Sequence, residues 1–522
     1  MSAKPANRIL VVSNRLPIVL SKVNGKWKAT AGAGGLVTAL APILQARGGV
    51  WIGWPATFDS DGIDQAMQDY SLRMGYDLAP VLMSEAEVQG YYYGFANEIL
   101  WPLFHGLETR CNFAPQYWHD YIQVNQKFAG VVRTHARSSD FVWIHDYQLM
   151  LVAEQLRHMG LRQQIGFFLH IPFPAPDTFF KLPWRAQLLR GMLAFDLIGF
   201  QTVRHRRNFT HCLQQLGLPD LQISGRGDVV RIRFEGRDIR AGAFPISIDA
   251  REISREAAAP EISAKAQQFR QKFANQKLVI GIDRLDYTKG IPDRLEAFRQ
   301  MLMEHPEWRN KVSLIQITVP SRESVPEYER LRRRIQQLVG EINGEFTSPG
   351  ERVPIHYLHR ALKREDVYTI LRAADVGLVT PLRDGMNLVA KEYCACNVSE
   401  TGVLVLSEFA GAAAELKNGA LLINPYDIEG TSTAIHQALI MPEAERKTRM
   451  RKLRNQIARH DIFRWLDMVL EAAFAKRLSD FPRLEDHLPA VDLSLLRASE
   501  NPLADELPFL GVPIHNEHAG LI

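Results

Sequence analysis

Short apolar runs alternate with amphipathic stretches along this chain, and they recur in a fixed order. Arg8–Asn14 (RILVVSN) predicts a first buried strand. A long loop over 15–33 follows, with a hairpin signal at Asn24-Gly25. Gly32-Ala-Gly-Gly35 then leads into LVTALAPIL, whose apolar spacing is helical. Strand, glycine-rich loop and helix form the opening unit of a doubly wound α/β domain. Val50–Trp54, Phe141–His145 (FVWIH), Ile165–His170 (IGFFLH) and Asp196–Gln201 (DLIGFQ) predict further buried strands, with helices at Leu149–His158 and Arg204–Leu216. Asp228–Arg240 alternates polar and apolar residues and predicts an exposed hairpin.

After Phe244–Asp249 the pattern restarts. A polar, alanine-rich helix is predicted at Ile253–Phe273, then a strand at Lys277–Ile282 (KLVIGI), a loop at Asp283–Gly290 and a helix at Ile291–Glu304. Val312–Ile317, Ile355–Leu358, Val376–Val379 and Leu404–Leu406 predict later strands. Two α/β domains with a cleft between them are therefore expected, over 1–246 and 247–460. A last helix, Ile462–Leu478, is apolar on one side, so the segment 461–480 is expected to pack back on the first domain. From about Pro482 the chain is polar and irregular, and 481–522 reads as a loosely ordered tail.

Composition narrows the classes. Length alone implies two or three domains in 522 residues. Lys and Arg number 62 against 58 Asp and Glu, a formal net charge of +4, too small for a nucleic-acid or membrane-surface protein of this size. A local basic pocket for an anionic substrate fits better. Four cysteines have no zinc-like spacing, and Cys394 and Cys396 read as buried thiols. Nothing near the N-terminus resembles a signal peptide and no segment has membrane-spanning character, so a cytoplasmic location is expected.

Candidate chemistry collects at strand ends. In Thr380–Tyr393 (TPLRDGMNLVAKEY), a loop after a buried strand opens a helix, which offers backbone N–H groups and a positive dipole end to an anion. Asp384, Lys391 and Glu392 add groups for sugar hydroxyls or phosphate. Arg284 and Lys289 in RLDYTKG flank another helix start and suit a diphosphate; the structural alternative pairs Arg284 with Asp286. Gly34-Gly35 fits either a tight turn or close approach to the ligand that Arg15 also meets. Asp146 and His170 follow strands directly, where side chains face a cleft, although a buried satisfied histidine is the alternative for His170. Tyr92, Trp101 and His105 are core or ligand-facing aromatics, and Arg322 ends another strand. The run Arg330, Arg332, Arg333 and Arg334 reads as a solvated helix face. No metal cluster and no serine or cysteine nucleophile motif is seen.

Taken together, VVSNRLP, AGGLV, WIGWPA, NEILWPLFH, WIHDYQLMLV, GFFLHIPFP, DLIGFQT, RLDYTKG, PSR, DVGLVTPLRDGMNLVAKEY, SEFAGAA and INPYD closely resemble the trehalose-6-phosphate synthases. These are retaining glucosyltransferases of the GT-B fold, two Rossmann-like doubly wound domains facing a cleft. The resemblance runs from about residue 8 to 470 and implies UDP-glucose as co-substrate, glucose 6-phosphate as acceptor, no cofactor and no metal. It implies that Arg284, Lys289, Asp384 and His170 carry the catalysis. Donor binding would fall to those residues with Gly34, Gly35, Leu362, Asn387, Leu388, Val389 and Glu392. Arg15, Tyr92, Trp101, Asp146 and Arg322 would bind the acceptor, the two arginines near its phosphate. A homo-oligomer, dimer or tetramer, is expected.

Three positions depart from the family pattern. Tyr93 stands where relatives often carry Asn, Gly106 where an aromatic is common, and 348–354 lacks a tryptophan. Tyr93 and Gly106 are expected on the acceptor side. Two alternatives stay open here: a sister transferase acting on another phosphorylated acceptor, such as glycerol 3-phosphate or a cyclitol phosphate, and a catalytically silent sugar-phosphate sensor.

Overall fold

The computed structural model describes residues 8–32, 35–225, 227–322 and 325–474. Two sheets organise it, wound in the same order, the second parallel throughout and the first parallel up to an antiparallel edge formed by Val229–Phe234 and its two neighbours. Across the first, the strands run Asp77–Pro80, Gly49–Trp54, Ile9–Arg15, Phe141–His145, Gln164–Leu169, Leu197–Phe200, Arg237–Ala243, Val229–Phe234 and Gln222–Ser224. Across the second they run Ile355–His359, Val312–Val319, Lys277–Arg284, Val376–Val379, Val403–Ser407 and Leu421–Ile423. In each sheet the chain starts in the middle, winds outward one way, then returns and winds out the other way. That is the doubly wound order, here twice over, as the GT-B arrangement requires. The central strands are buried along their length because helices cover both faces of a parallel sheet, which is why they read as unbroken apolar runs.

Several expectations change. The hairpin predicted as exposed joins the first sheet: Arg237–Ala243 pairs in parallel with Leu197–Phe200, and Val230, Ile232 and Phe234 turn inward. Its alternation marks one buried face rather than two wet ones. The helix expected over Ile253–Phe273 is two, Ala250–Ala258 and Pro260–Lys272. Proline forces Ala259 out of the helical region, to ψ 142. The helix expected from Leu149 starts at Val152, after a tight turn at Tyr147–Leu149. Ile18–Val23 and Lys26–Ala31 form the hairpin expected at Asn24-Gly25, both turn residues having positive φ.

Val88–Leu100 is a π-helix, and Trp101 N–H donates to Ala96 O, five residues back. This wide turn brings Tyr92 and Trp101, nine positions apart, to one cavity. The helix Ile462–Phe474 follows the second sheet in sequence but lies on the first, with Trp465 stacked on Trp143 at 5.1 Å. The expected continuation of that helix past 474 and the tail 481–522 lie outside the described residues. Arg330, Arg333 and Arg334 pair with Glu327, Glu329 and Glu296 on an exposed face of the helix Pro326–Phe346. Cys394 and Cys396 are buried free thiols. Among the described residues no helix is long and apolar enough to cross a membrane.

Candidate active site

In a doubly wound sheet, ligands bind beyond the carboxyl ends of the two neighbouring strands where the winding reverses. Here those pairs are Ile9–Arg15 with Phe141–His145, and Lys277–Arg284 with Val376–Val379. Their ends deliver Arg15, Asp146, Arg284 and the loop to Asp384. All four line one cavity of about 100 Å³, together with Tyr92, Trp101 and His170, Lys289 and Arg322.

On the second-sheet side, Asp286 shapes the loop after Arg284. Its carboxylate accepts from Thr288 N–H and Thr288 Oγ1, both at 2.9 Å. Leu382 N–H then donates to Thr288 O at 2.8 Å, which ties this loop to the one bearing Asp384. Lys289 Nζ reaches Asp384 Oδ2 at 2.5 Å. Asn387, at φ 75, caps the helix Leu388–Cys396 by accepting from Ala390 N–H, and its Nδ2 donates to Asp384 at 3.1 Å. Burial pushes the Asp384 carboxyl up, but Lys289, His105 and Asn387 outweigh it and hold it below the usual range. Gly385 lies where any Cβ would be 1.9 Å from His170 O, so glycine lets the two halves touch.

Leu362, Asn387, Leu388, Val389 and Glu392 do not border this cavity. Gly35 begins the helix Gly35–Arg47, and Gly34 lies outside the described residues. Leu362 is half-buried in the turn after Ile355–His359. Leu388 and Val389 are half-buried in the first helical turn, and Glu392 sits one turn further, its carboxyl raised by burial with Arg364 opposing.

Lys391 is not a site residue. It is buried, donating to Ile246 O at 2.8 Å and pairing with Glu415 at 2.7 Å. Lys391→Ala strands Glu415 without its cation and is expected to cost about 3 kcal/mol, read as a fall in the denaturation midpoint.

Across the cavity, Arg284 and Arg322 from the second-sheet strand ends and Arg15 from the first converge on two rings. Arg322 lies 4.3 Å and Arg284 5.6 Å from the Trp101 ring centroid, and Arg15 lies 5.7 Å from that of Tyr92. Burial raises the Tyr92 hydroxyl, but Arg15 and Arg322 more than offset it. Arg322 is buried at φ 50 and donates to Tyr328 OH at 2.5 Å, Tyr147 OH at 3.2 Å and Asp286 at 3.4 Å. Asp286 therefore pairs with Arg322, not with Arg284 as the structural alternative had it; the partner comes from a distant strand end.

Asp146, at φ 75, accepts from His170 N–H at 3.2 Å. Burial raises its carboxyl to about 7, with backbone hydrogen bonds, Arg284 and Arg322 pulling the other way. Because the folded pKa lies above the unfolded value, the folded state holds a proton that the unfolded chain has lost between about pH 4 and 7. The penalty is absent below that window and complete above it. Asp146→Asn is expected to raise stability at pH 8 by roughly 1–4 kcal/mol, with no gain at pH 4, while lowering activity. Denaturation midpoints at the two pH values check this.

His105, Asn14, Tyr147, Gln148 and Ile171 also line the cavity. Asn14, Tyr147 and Ile171 adjoin predicted site residues, and strand-end position alone could have flagged them. Gly106 belongs elsewhere than expected. It lines a separate cavity beside Arg383 rather than the acceptor side. Among the described residues one possible metal-ligand cluster, His305, Glu307 and His436, occurs outside this cavity, and His436 Nδ1 is engaged by Trp308 Nε1.

Residues 7–474 match glycosyltransferase family 20. The chain is 43% identical over 476 residues to a trehalose-6-phosphate synthase of Mycobacterium bovis, covering 89% of this chain and 94% of that one. A crystal structure of an alpha,alpha-trehalose-phosphate synthase (UDP-forming) from Burkholderia xenovorans, in complex with glucose-6-phosphate, superposes with a TM-score of 0.79 at 35% identity, covering 89% of this chain and 99% of that one. A trehalose-6-phosphate synthase structure concerned with enzymatic glycosyltransfer with retention gives 0.78 at 34%, covering 91% and 100%.

Proposed function

The chain belongs to glycosyltransferase family 20, and from that premise we propose how its cleft works. It transfers glucose from UDP-glucose to O1 of glucose 6-phosphate, keeping the α configuration and releasing trehalose 6-phosphate and UDP. One observation carries the reading. Two sets of charged groups meet in one cavity: Arg284, Lys289 and Asp384 at the switch point of the second sheet, and Arg15 and Asp146 at that of the first, joined by Arg322 from the end of the second-sheet strand Val312–Val319. One set suits a sugar diphosphate, the other a sugar phosphate.

In this proposal Arg284 and Lys289 hold the diphosphate, with the N-terminus of the helix Leu388–Cys396 adding backbone donors. Asp384, ionised and fixed by Lys289 and Asn387, accepts from donor-sugar hydroxyls. Gly34 and Gly35 approach the donor, and Leu362, Leu388, Val389 and Glu392 hold the nucleotide. Arg15 and Arg322 take the acceptor phosphate, and Tyr92, Trp101 and Asp146 position its ring. Substitution occurs on the front face. The bond from the anomeric carbon to the leaving phosphate oxygen breaks as the acceptor O1 bonds to the same face, and that phosphate oxygen accepts the O1 proton. The cations stabilise charge developing on UDP, so no metal is required. The cavity is well below the roughly 300–1,000 Å³ of typical ligand pockets, so substrates enter when the halves part at the Gly385–His170 contact.

The test is UDP release from UDP-glucose with glucose 6-phosphate and, separately, glycerol 3-phosphate. Release with glucose 6-phosphate is expected. Release with glycerol 3-phosphate alone, or with neither, would overturn the reading.

A further inference from the structure

A second cavity, about 840 Å³, opens on the other side of the Asp384 loop. Leu382 and Arg383 face it, whereas Asp384 faces the substrate cavity. Its walls come from both halves, with Gln201–His205 on one side and Arg383 and Glu408–Glu415 on the other. Arg383 is half-buried, with no hydrogen bond or ion pair among the described residues. Burial and the repulsion of Arg204 both disfavour its charge, which an anion between them would relieve. Gly106, at φ 74, leaves room for it: a Cβ there would lie 3.1 Å from Arg383 Nη1. Lys417 adds a third cation. Glu415 is neutralised by Lys391, whereas Glu408 and Asp228 have no ion-pair partner among the described residues and suit hydroxyl groups. We propose that this cavity is a second ligand site, distinct from the substrate site, for a small phosphorylated polyhydroxy compound that bridges the two halves. Its phosphate lies between Arg204 and Arg383, and its hydroxyls donate to Glu408 and Asp228.

The experiment titrates ribose 5-phosphate calorimetrically into the full-length protein saturated with UDP and free of any other sugar phosphate, and uses Arg322→Ala to disable the acceptor-phosphate position of the substrate cavity. One saturable site is expected. It weakens at least about tenfold in Arg383→Ala and in Arg204→Ala, and persists in Arg322→Ala. Arg204 is exposed, so its variant folds. No binding, binding indifferent to Arg204 and Arg383, or binding lost only in Arg322→Ala overturns the proposal.

An independent observation concerns His145, which is buried beneath the substrate cavity residues with its Nδ1 3.2 Å from His170 Nε2. Burial holds both rings neutral, so a single proton lies between them. If His170 supplied it, His145 would carry its own proton on Nε2, a buried N–H without a partner. If His145 Nδ1 supplies it, only a lone pair goes unmatched, which costs less. His170 then keeps its proton on Nδ1, which has no partner among the described residues, on a ring that borders the cavity. We infer that His145 is a positioning residue that fixes His170 as an N–H donor toward a substrate oxygen. This rests on the reading of the cleft as a glucosyl-transfer site. Nitrogen-15 NMR of the labelled protein reads the tautomer without needing activity, and the Nδ1–H form of His170 is expected. His145→Phe should lower kcat/KM for UDP-glucose about tenfold with KM for glucose 6-phosphate unchanged, and His145→Gln, which restores a donor, should recover most of it. An Nε2–H tautomer of His170, or full activity in His145→Phe, overturns the inference.

Discussion

Arg284→Ala is expected to lower kcat by about two to three orders of magnitude while the protein stays folded. The guanidinium stands at the carboxyl end of Lys277–Arg284, beside Lys289 and over the Trp101 ring. In the proposed reaction, negative charge grows on the leaving diphosphate only as the glycosidic bond breaks. A preorganised cation there acts on the transition state more than on bound substrate. Losing one such donor in a water-excluded site typically costs about 2.7–4 kcal/mol. Lys289 remains in the variant, so activity does not vanish. Arg284→Lys should recover only part of the rate, because an ammonium cannot make the forked contact. Steady-state kinetics in UDP-glucose check this, and a kcat within tenfold of wild type would remove Arg284 from the transition state.

Arg322→Ala is expected to act on the acceptor. KM for glucose 6-phosphate should rise by about two orders of magnitude, with UDP-glucose affinity little changed, matching the loss of one strong charge-assisted contact of about 1.5–3 kcal/mol. The variant should also be less stable. Arg322 is the ion-pair partner of the buried Asp286, whose carboxyl is held down chiefly by Arg322, Arg284 and Lys289 against burial. Breaking a buried pair from one side costs about 3–5 kcal/mol. Measuring KM at 15 °C, well below the lowered denaturation midpoint, separates the two effects. An unchanged KM for glucose 6-phosphate would mean that Arg322 serves only the loop architecture.

Much of this site is written locally. Arg15, Asp146, His170 and Arg284 each end or follow an apolar run, and a strand buried on both faces is the plainest pattern a chain can carry. The doubly wound order then places those ends together. What stays hidden depends on distant partners or an unusual period. Arg322 meets Tyr147 across 175 residues, and nothing local shows which carboxylate it joins. Lys391, in a helix's first turn beside candidate ligands, looks like a site residue until Glu415 is seen to bury it. The π-helix Val88–Leu100 defeats a reading based on 3.6-residue spacing, so Tyr92 and Trp101 looked like any core aromatics. The break at Ala259-Pro260 was available in the sequence, because proline excludes helical geometry from its predecessor. The short edge strands Asp77–Pro80 and Leu421–Ile423 have too few residues to form a pattern.

The central claim is that this cleft joins two glucose units with retention, using the protein's own cations. Proton NMR of the product formed from UDP-glucose and glucose 6-phosphate in the presence of EDTA tests it most directly. The account predicts a non-reducing disaccharide phosphate with both anomeric protons in the α configuration, formed in equal amount to UDP. A β-configured new linkage, a linkage away from O1, or a product that appears only when a divalent cation is restored would contradict it.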